Sequence, residues 1–311
     1  MFKLLRDSGL GCHISNIFYA CFGYADDLLL LSASRSGLQE LVKICENFAA
    51  KKSLKFSTNV DPEKSKTKCI IFSKKHVDPN RVAPVLLNGD PLPWVPHVKH
   101  LGNTLQCDNS MKMDIAQKRG KLIGKLNSLS QEFHYVEPQV FVKILNIYAA
   151  SFYGSSLWNL FSAECDRIYA AWNVAIRICF NVDRATHRYF MGELTGSLHP
   201  KVMLCSRYAG FHQSLLKCDK FAVRYLARLC QEDQRTVFGR TLKQIAQECK
   251  VEFPVKKNIV KKVLKYFPVP EEEAWRPPLL SDLLQIRDNI STLPGFSLDE
   301  VDEMLKFVCS S

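Results

Sequence analysis

Asp26 and Asp27 stand side by side inside what is otherwise the longest apolar stretch of the chain, residues 17–31. Adjacent carboxylates repel each other, while their apolar flanks favour burial, where unpaired charge is strongly disfavoured. Strand, tight turn, strand satisfies both demands, with the acid pair at the tip facing water or a cation. Carboxylate oxygens are hard ligands that suit Mg²⁺, whose shell is completed by waters and substrate phosphates. An isolated Asp-Asp pair also fits an ordinary β-turn, so its neighbours must decide. The pair also breaks the run short of the roughly 20 apolar residues a membrane span needs. The opening MFKLLRDSGL has neither an extended apolar core nor a small-residue cleavage site. The expectation is an intracellular protein, nuclear and/or cytoplasmic, neither secreted nor membrane-bound.

Around the pair, residues 14–72 alternate apolar stretches with an amphipathic segment, a pattern that predicts an α+β sheet domain. The segment opens with Ser36-x-x-Gln39, which fits a capping box, and puts Leu38, Leu41, Val42, Cys45 and Phe48 on one stripe. A strand is expected at residues 68–72. Prolines 79, 84, 91, 93 and 96 forbid a long helix and suit short edge strands. Strand signal resumes over residues 98–105. From Asp108 the chain becomes mostly α-helical, with Asp108-Asn109 placed to cap a long basic helix through Phe133. Two later stripes, Val140/Ile144/Ile147/Tyr148 and Ile168/Trp172/Ala175/Ile176/Cys179, read as core faces. KKNIVKKVLK, residues 256–265, sets five lysines around Ile259, Val260, Val263 and Leu264 and reads as a solvated face. Acidic runs at residues 271–273 and 299–303 keep the tail from being uniformly basic.

A net charge of +11 raises the concentration of polyanions around the protein, which points to nucleic acid. The twelve cysteines include no Cys-x-x-Cys pair, and no histidine joins them in a ligand pattern, so disulfide and zinc-finger readings both fail. Cys45, Cys179 and Cys205 are expected as small core residues, and His97 and His100 as surface residues.

The neighbours of the acid pair resolve its meaning by likeness. Phe22-Gly23-Tyr24-Ala25-Asp26-Asp27 followed by Leu28 to Leu31 resembles motif C of LINE-type (non-LTR retrotransposon) reverse transcriptases, and the helix after it resembles the one that follows the motif there. NVDPEKSKTKCIIF, residues 59–72, is similar to motif D, where the family has a lysine near the incoming nucleotide. Lys64, Lys66 and Lys68 are candidates, Lys66 first. Val98-Lys99-His100-Leu101-Gly102-Asn103-Thr104-Leu105 looks like the primer-grip strand, with His100 where an aromatic residue is usual. Residues 111–133 resemble the thumb helix. YAASFYGSSLW at 148–158, Trp172-Asn173-x-Ala175-x-Arg177 and Thr186-His187 are similar to the helical segment downstream of LINE thumbs.

The resemblance covers residues 1–215, most specifically Tyr24 to Asp27. It implies a truncated palm at 1–107, a thumb-like helix at 108–135, a helical C-terminal segment at 136–234 and a helical tail of unknown role at 235–311. It also implies an RNA template with a DNA primer or RNA–DNA hybrid as partners and Mg²⁺ as cofactor. Asp26 and Asp27 become metal ligands and, with Lys66, the catalytic set. Tyr24, His100, Leu101, Gly102, Lys112, Lys118, Arg119, Lys121 and Lys125 become the nucleic-acid contacts. The family's motif A aspartate and motif B glycine helix precede motif C by many tens of residues. Only 25 residues precede Asp26, so the reading is of a fragment from motif C onward, inactive alone. Asp78, Asp90, Asp108 and Asp114 lack the strand context to substitute. A non-catalytic, sequence-independent nucleic-acid-binding protein is the alternative. A metal-dependent hydrolase is weakest, because no His or Glu partner motif accompanies the pair.

Overall fold

Ser34 begins the helix that organises the first part of the protein: its hydroxyl accepts the Gly37 backbone N–H at 3.1 Å and starts α2 (Arg35–Ala50). The cap lies before the Ser36 that the sequence pattern suggested. Gln39, expected to complete a capping box, instead donates to the Leu86 carbonyl (2.9 Å) and accepts the Leu86 N–H (2.7 Å). The computed structural model describes residues 1–264 apart from 60, 62, 74–76, 134, 189 and 253. Lys265 and both acidic runs of the tail lie outside the described residues. The protein is mixed α+β and divides into two units, Met1–Ser110 and Met111–Ser311.

In the first unit α1 (Phe2–Asp7) precedes four antiparallel pairs: β1 (His13–Ile14) with β2 (Ile17–Phe18), β3 (Cys21–Tyr24) with β4 (Asp27–Leu30), β5 (Leu86–Leu87) with β6 (Asp90–Pro91), and β7 (His97–His100) with β8 (Asn103–Gln106). Asn88-Gly89, at φ 54° and 85°, turns β5 into β6 in the left-handed pairing that two-residue hairpins favour. Backbone bonds from Cys12 N–H to Leu31 O (3.1 Å) and from Leu31 N–H to Ala20 O (2.8 Å) tie the base of the β3–β4 hairpin to the preceding loop. Gly11 permits that approach. At φ 88° a Cβ there would stand 2.2 Å from the Ala20 Cβ.

Leu41 and Cys45 of α2 pack with Leu5 and Ala20 beneath the β3–β4 hairpin, while Val42 packs with Cys69, Val85, Leu87 and Leu92. The strand expected at 68–72 is a single parallel bridge, Cys69 with Trp94. Cys69 N–H reaches Pro93 O (2.9 Å) and Val95 N–H reaches Cys69 O (2.8 Å). Pro93 and Pro96 have no N–H with which to lengthen it.

The second unit is helical: α3 (Lys112–Glu132), α4 (Pro138–Tyr148), α5 (Ala163–Cys179), α6 (Phe190–Thr195), α7 (Pro200–Leu216), α8 (Phe221–Glu232), α9 (Val237–Glu248) and α10 (Lys257–Val263). One continuous core joins Ile115 of α3 to Leu264, with Trp158, Trp172, Phe180 and Tyr208 fully buried. Burying each such side chain contributes on the order of 1.5–3 kcal/mol. The expected cap of α3 is absent: Asp108 accepts the Ser110 N–H in a turn, and Asn109 lies at φ 57°, off the helical path. On α5 the expected stripe is buried except for half-buried Cys179, while Cys45 and Cys205 are buried as expected. On α4 the buried face is shifted from the expected one: Phe141, Val142 and Leu145 pack inward and half-buried Ile144 packs against the same core, leaving Val140, Ile147 and Tyr148 exposed. Of the apolar set near α10, Val260 and Leu264 are buried and Val263 is exposed. Among the described residues no helix is long and apolar enough to cross a membrane.

His199 caps α7, its Nδ1 accepting the Lys201 backbone N–H at 3.2 Å, and its ring meets Tyr169 and Trp172 edge-on. Burial, reinforced by the charges of Lys201 and Arg188, pushes its pKa down from 6.5 to about 4. A depressed folded-state pKa means the His199 contribution is complete above about 6.5 and is lost as pH falls toward 4. His199→Asn keeps a capping oxygen without the titrating ring. Between about pH 7 and pH 4.5 its urea midpoint should fall less than that of the unsubstituted protein. Equal falls would remove His199 from the acid response.

Candidate catalytic hairpin and nucleic-acid surface

Tyr24 pairs across the ladder with Asp27, and Gly23 with Leu28, which leaves Ala25 and Asp26 as the two-residue turn. The acid pair thus sits at a hairpin tip, Asp26 in the turn and Asp27 opening β4. Residues 22–27 are all exposed, Tyr24 at 69%. Ala25 is held at φ 52°, a left-handed conformation that costs an L-residue roughly 1–2 kcal/mol. Among the described residues neither the Asp26 nor the Asp27 carboxylate has a hydrogen bond or ion pair. Two uncompensated like charges on a strained turn therefore face solvent.

The fit to a resident metal is incomplete. Among the described residues there is no group of three or more His, Cys, Asp or Glu side chains able to hold an ion. Asp26 and Asp27 alone do not make a closed cage, and Mg²⁺ held by one or two carboxylates is completed by waters and substrate phosphates.

Lys66 is exposed in the irregular segment after α2, whereas Lys64 is engaged by Asp61 at 3.5 Å. Among the described residues no hydrogen bond or ion pair links Lys66 to the hairpin. The segment expected as one strand over residues 98–105 is itself a hairpin, with Leu101 (φ 44°) and Gly102 (φ 78°) forming the turn between β7 and β8. Leu101 and Gly102 are exposed and His100 is half-buried, and the Leu101 carbonyl accepts the Asn103 side-chain amide at 3.3 Å. His97 is exposed, in line with the sequence reading.

On α3 the five basic residues part company. Lys118 lies 4.0 Å from the carboxylate of Asp114 and 5.6 Å over the Tyr153 ring, with its side chain only 13% exposed. It is engaged internally and leaves the expected phosphate-facing set. Asp114, 1% exposed, accepts the Trp158 indole N–H at 2.8 Å. Lys112, Lys121 and Lys125 are exposed and Arg119 half-buried. At about 100° per residue, Lys121 and Lys125 flank one side of the helix and Lys112 and Arg119 the other. Between the flanks lie Ala116, Gly120, Ile123, Gly124 and Asn127, all exposed, and a Cβ added at Gly120 or Gly124 would meet nothing within 4 Å. The sequence reading missed this narrow face with basic margins. The i, i+4, i+8 spacing of Ala116, Gly120 and Gly124 was the available signal.

The downstream segments that carried the resemblance have structural work in this fold. Trp158 and Tyr153 engage α3, and the Arg177 guanidinium donates twice to the Thr186 carbonyl (3.0 and 2.6 Å) to pin the loop after α5. Compared with known proteins, the chain matches no family model and no curated protein.

Trp158→Phe removes the donor to a buried charge, so the second unit should lose about 1–3 kcal/mol in urea titrations followed by circular dichroism. Lys121→Ala, on the open margin, should stay within about 0.5 kcal/mol. Equal effects of the two substitutions would show that the Asp114 contact is not stabilising.

Proposed function

We propose that this chain is the motif C-to-thumb portion of a LINE-type RNA-directed DNA polymerase, a partial palm followed by a thumb-like helix. One observation carries the reading: Tyr24-Ala25-Asp26-Asp27 forms an exposed two-residue hairpin with both carboxylates uncompensated, backed by α2. In the intact site Asp26 would be a ligand for Mg²⁺ with Asp27 beside it, and the ion would stabilise the charge that develops on the transferred phosphoryl group. What these residues supply themselves is position. The exposed β7–β8 tip at Leu101-Gly102 would face the primer end, with His100 alongside, and exposed Lys66 would meet a nucleotide phosphate. The bare face of α3 lets backbone approach a groove while Lys121/Lys125 and Lys112/Arg119 meet the phosphates on either side.

Motifs A and B are not among the 311 residues. Loss of a single electrostatic stabiliser commonly costs about 10²–10³ in rate, and here a ligand, the nucleotide pocket and template contacts are lacking together. Purified chain given primer, template, Mg²⁺ and nucleotides should therefore show no extension above a protein-free control. Fusion to the fingers and motif A segment of an intact relative should restore extension that depends on Asp26. A folded, active fusion indifferent to Asp26→Ala would overturn the motif C assignment.

The exposed basic margins of α3 also suit a second reading, a non-catalytic nucleic-acid binder built on the same face. Both readings require that face to bind a primer–template hybrid. Each phosphate contact contributes about −0.9 to the log–log salt slope of duplex binding, so two to four contacts give roughly −2 to −4. Lys121→Ala/Lys125→Ala should flatten the slope by about 2, whereas Lys118→Ala should leave it unchanged. A slope unmoved in the folded double variant removes α3 from the binding surface.

A further inference from the structure

The helix pair α8 and α9 has a surface that the polymerase reading does not use. The two helices are joined by only four residues, 233–236, and α7 packs against both, with Tyr208 and His212 of α7 meeting Phe238 of α9 at ring distances of 5.2 and 5.8 Å. The corner is tight. A Cβ at Gly239 would stand 2.4 Å from the Cys230 carbonyl oxygen and 2.6 Å from that of Asp233. Thr236 locks it, donating to Asp233 O (2.8 Å) and accepting the Gly239 N–H (2.9 Å).

Packing of α9 leaves a sharply divided helix. Gly239, Thr241, Leu242, Ile245 and Ala246 are buried. On the opposite side Arg240, Gln244 and Gln247 are exposed and Lys243 is half-buried. These four occupy positions i, i+4, i+7 and i+3, within an arc of about 100°. Solvated helix faces ordinarily intersperse both signs of charge, yet this arc contains no acid, and Glu248 stands at its flank. Residues 217–250 carry eight Lys/Arg against four Asp/Glu, so the surroundings also favour a polyanion.

We infer that α9 docks in the major groove of B-form duplex DNA through Arg240, Gln244 and Gln247, with half-buried Lys243 held beside them by its hydrogen bond to Gln234 (2.9 Å). The partner follows from chemistry and size. Arginine and lysine donate to the O6/N7 edge of guanine, and glutamine pairs with the N6/N7 edge of adenine. The B-DNA major groove, about 12 Å wide, admits a helix about 10–12 Å across. The deep, narrow major groove of A-form RNA does not, so duplex RNA should be a poor ligand for this face. A short helix–link–helix corner braced by a third helix holds such a reader rigidly against the duplex.

The experiment measures fluorescence anisotropy of the full chain with a pool of random-sequence DNA duplexes and with duplex RNA of equal length, at one salt concentration. Arg240→Ala/Gln244→Ala/Gln247→Ala should weaken DNA binding by about tenfold or more and leave RNA binding within about twofold. The charge reversal Arg240→Glu, a single surface change, should act in the same direction. DNA binding within about twofold of the unsubstituted protein in either folded variant overturns the proposal. So does a loss of equal size on DNA and RNA, which would mark a phosphate-only surface. Lys121→Ala/Lys125→Ala separates the two assignments. If it weakens hybrid binding while the α9 variants change nothing, the α3 reading stands and this one fails.

Discussion

The second unit is organised around a carboxylate that cannot be left alone. Asp114 is almost wholly removed from solvent, and a buried anion without partners would cost several kcal/mol. The Trp158 indole N–H supplies a charge-assisted hydrogen bond, and Lys118 supplies a nearby counter-charge that is itself covered by Tyr153. Because both partners occupy fixed places, the arrangement sets the rotation of α3. Ile115, Leu122, Leu126 and Leu129 then point into the core, and Lys121 and Lys125 are left on the margin. The same contact that stabilises the fold decides which basic residues are free to meet a phosphate.

The first unit answers a different electrostatic demand. Its acid pair is kept out of the core by a turn that accepts backbone strain at Ala25, and the hairpin is held from beneath by Leu41 and Cys45 of α2 and from its base by the Gly11–Ala20–Leu31 contact. Exposure leaves Asp26 and Asp27 able to receive a cation with its substrate. The strain sits where a functional turn would carry it, on a residue whose Cβ opposes the conformation.

The +11 charge of the chain is spread, but its useful parts are local. On α3 the cations border a face of Ala116, Gly120, Ile123, Gly124 and Asn127, whose small residues would permit the proposed close approach of backbone to a groove. On α9 Arg240 and Lys243 share a stripe free of acid with Gln244 and Gln247, the side-chain types that the proposed reading of base edges would use. Four cations on α3 and two on α9 thus stand in different geometries, because the side chains between them differ in length and hydrogen-bonding capacity.

The sequence by itself determined that the acid pair ends a hairpin, that residues 77–96 hold turns and short strands, that the described chain after about residue 108 is mostly helical, and which stripe of α5 is inside. Each follows from local chemistry: like charges excluded from apolar surroundings, prolines without N–H, and a run of large apolar residues at helical spacing with no competing stripe. Tertiary structure alone decided the rest. α4 carries two apolar stripes, and only the positions of α3 and α5 choose Phe141, Val142 and Leu145 over Val140, Ile147 and Tyr148. Gln39 reads as a capping residue until β5 offers it an unpaired backbone N–H and carbonyl. Lys118 reads as one more surface cation until folding buries Asp114 beneath it. α4 and Gln39 meet partners remote in sequence, and Lys118, although only four residues from Asp114, is fixed by a burial that the remote Trp158 and Tyr153 complete, so each choice depends on a burial energy that exists only once the chain has closed.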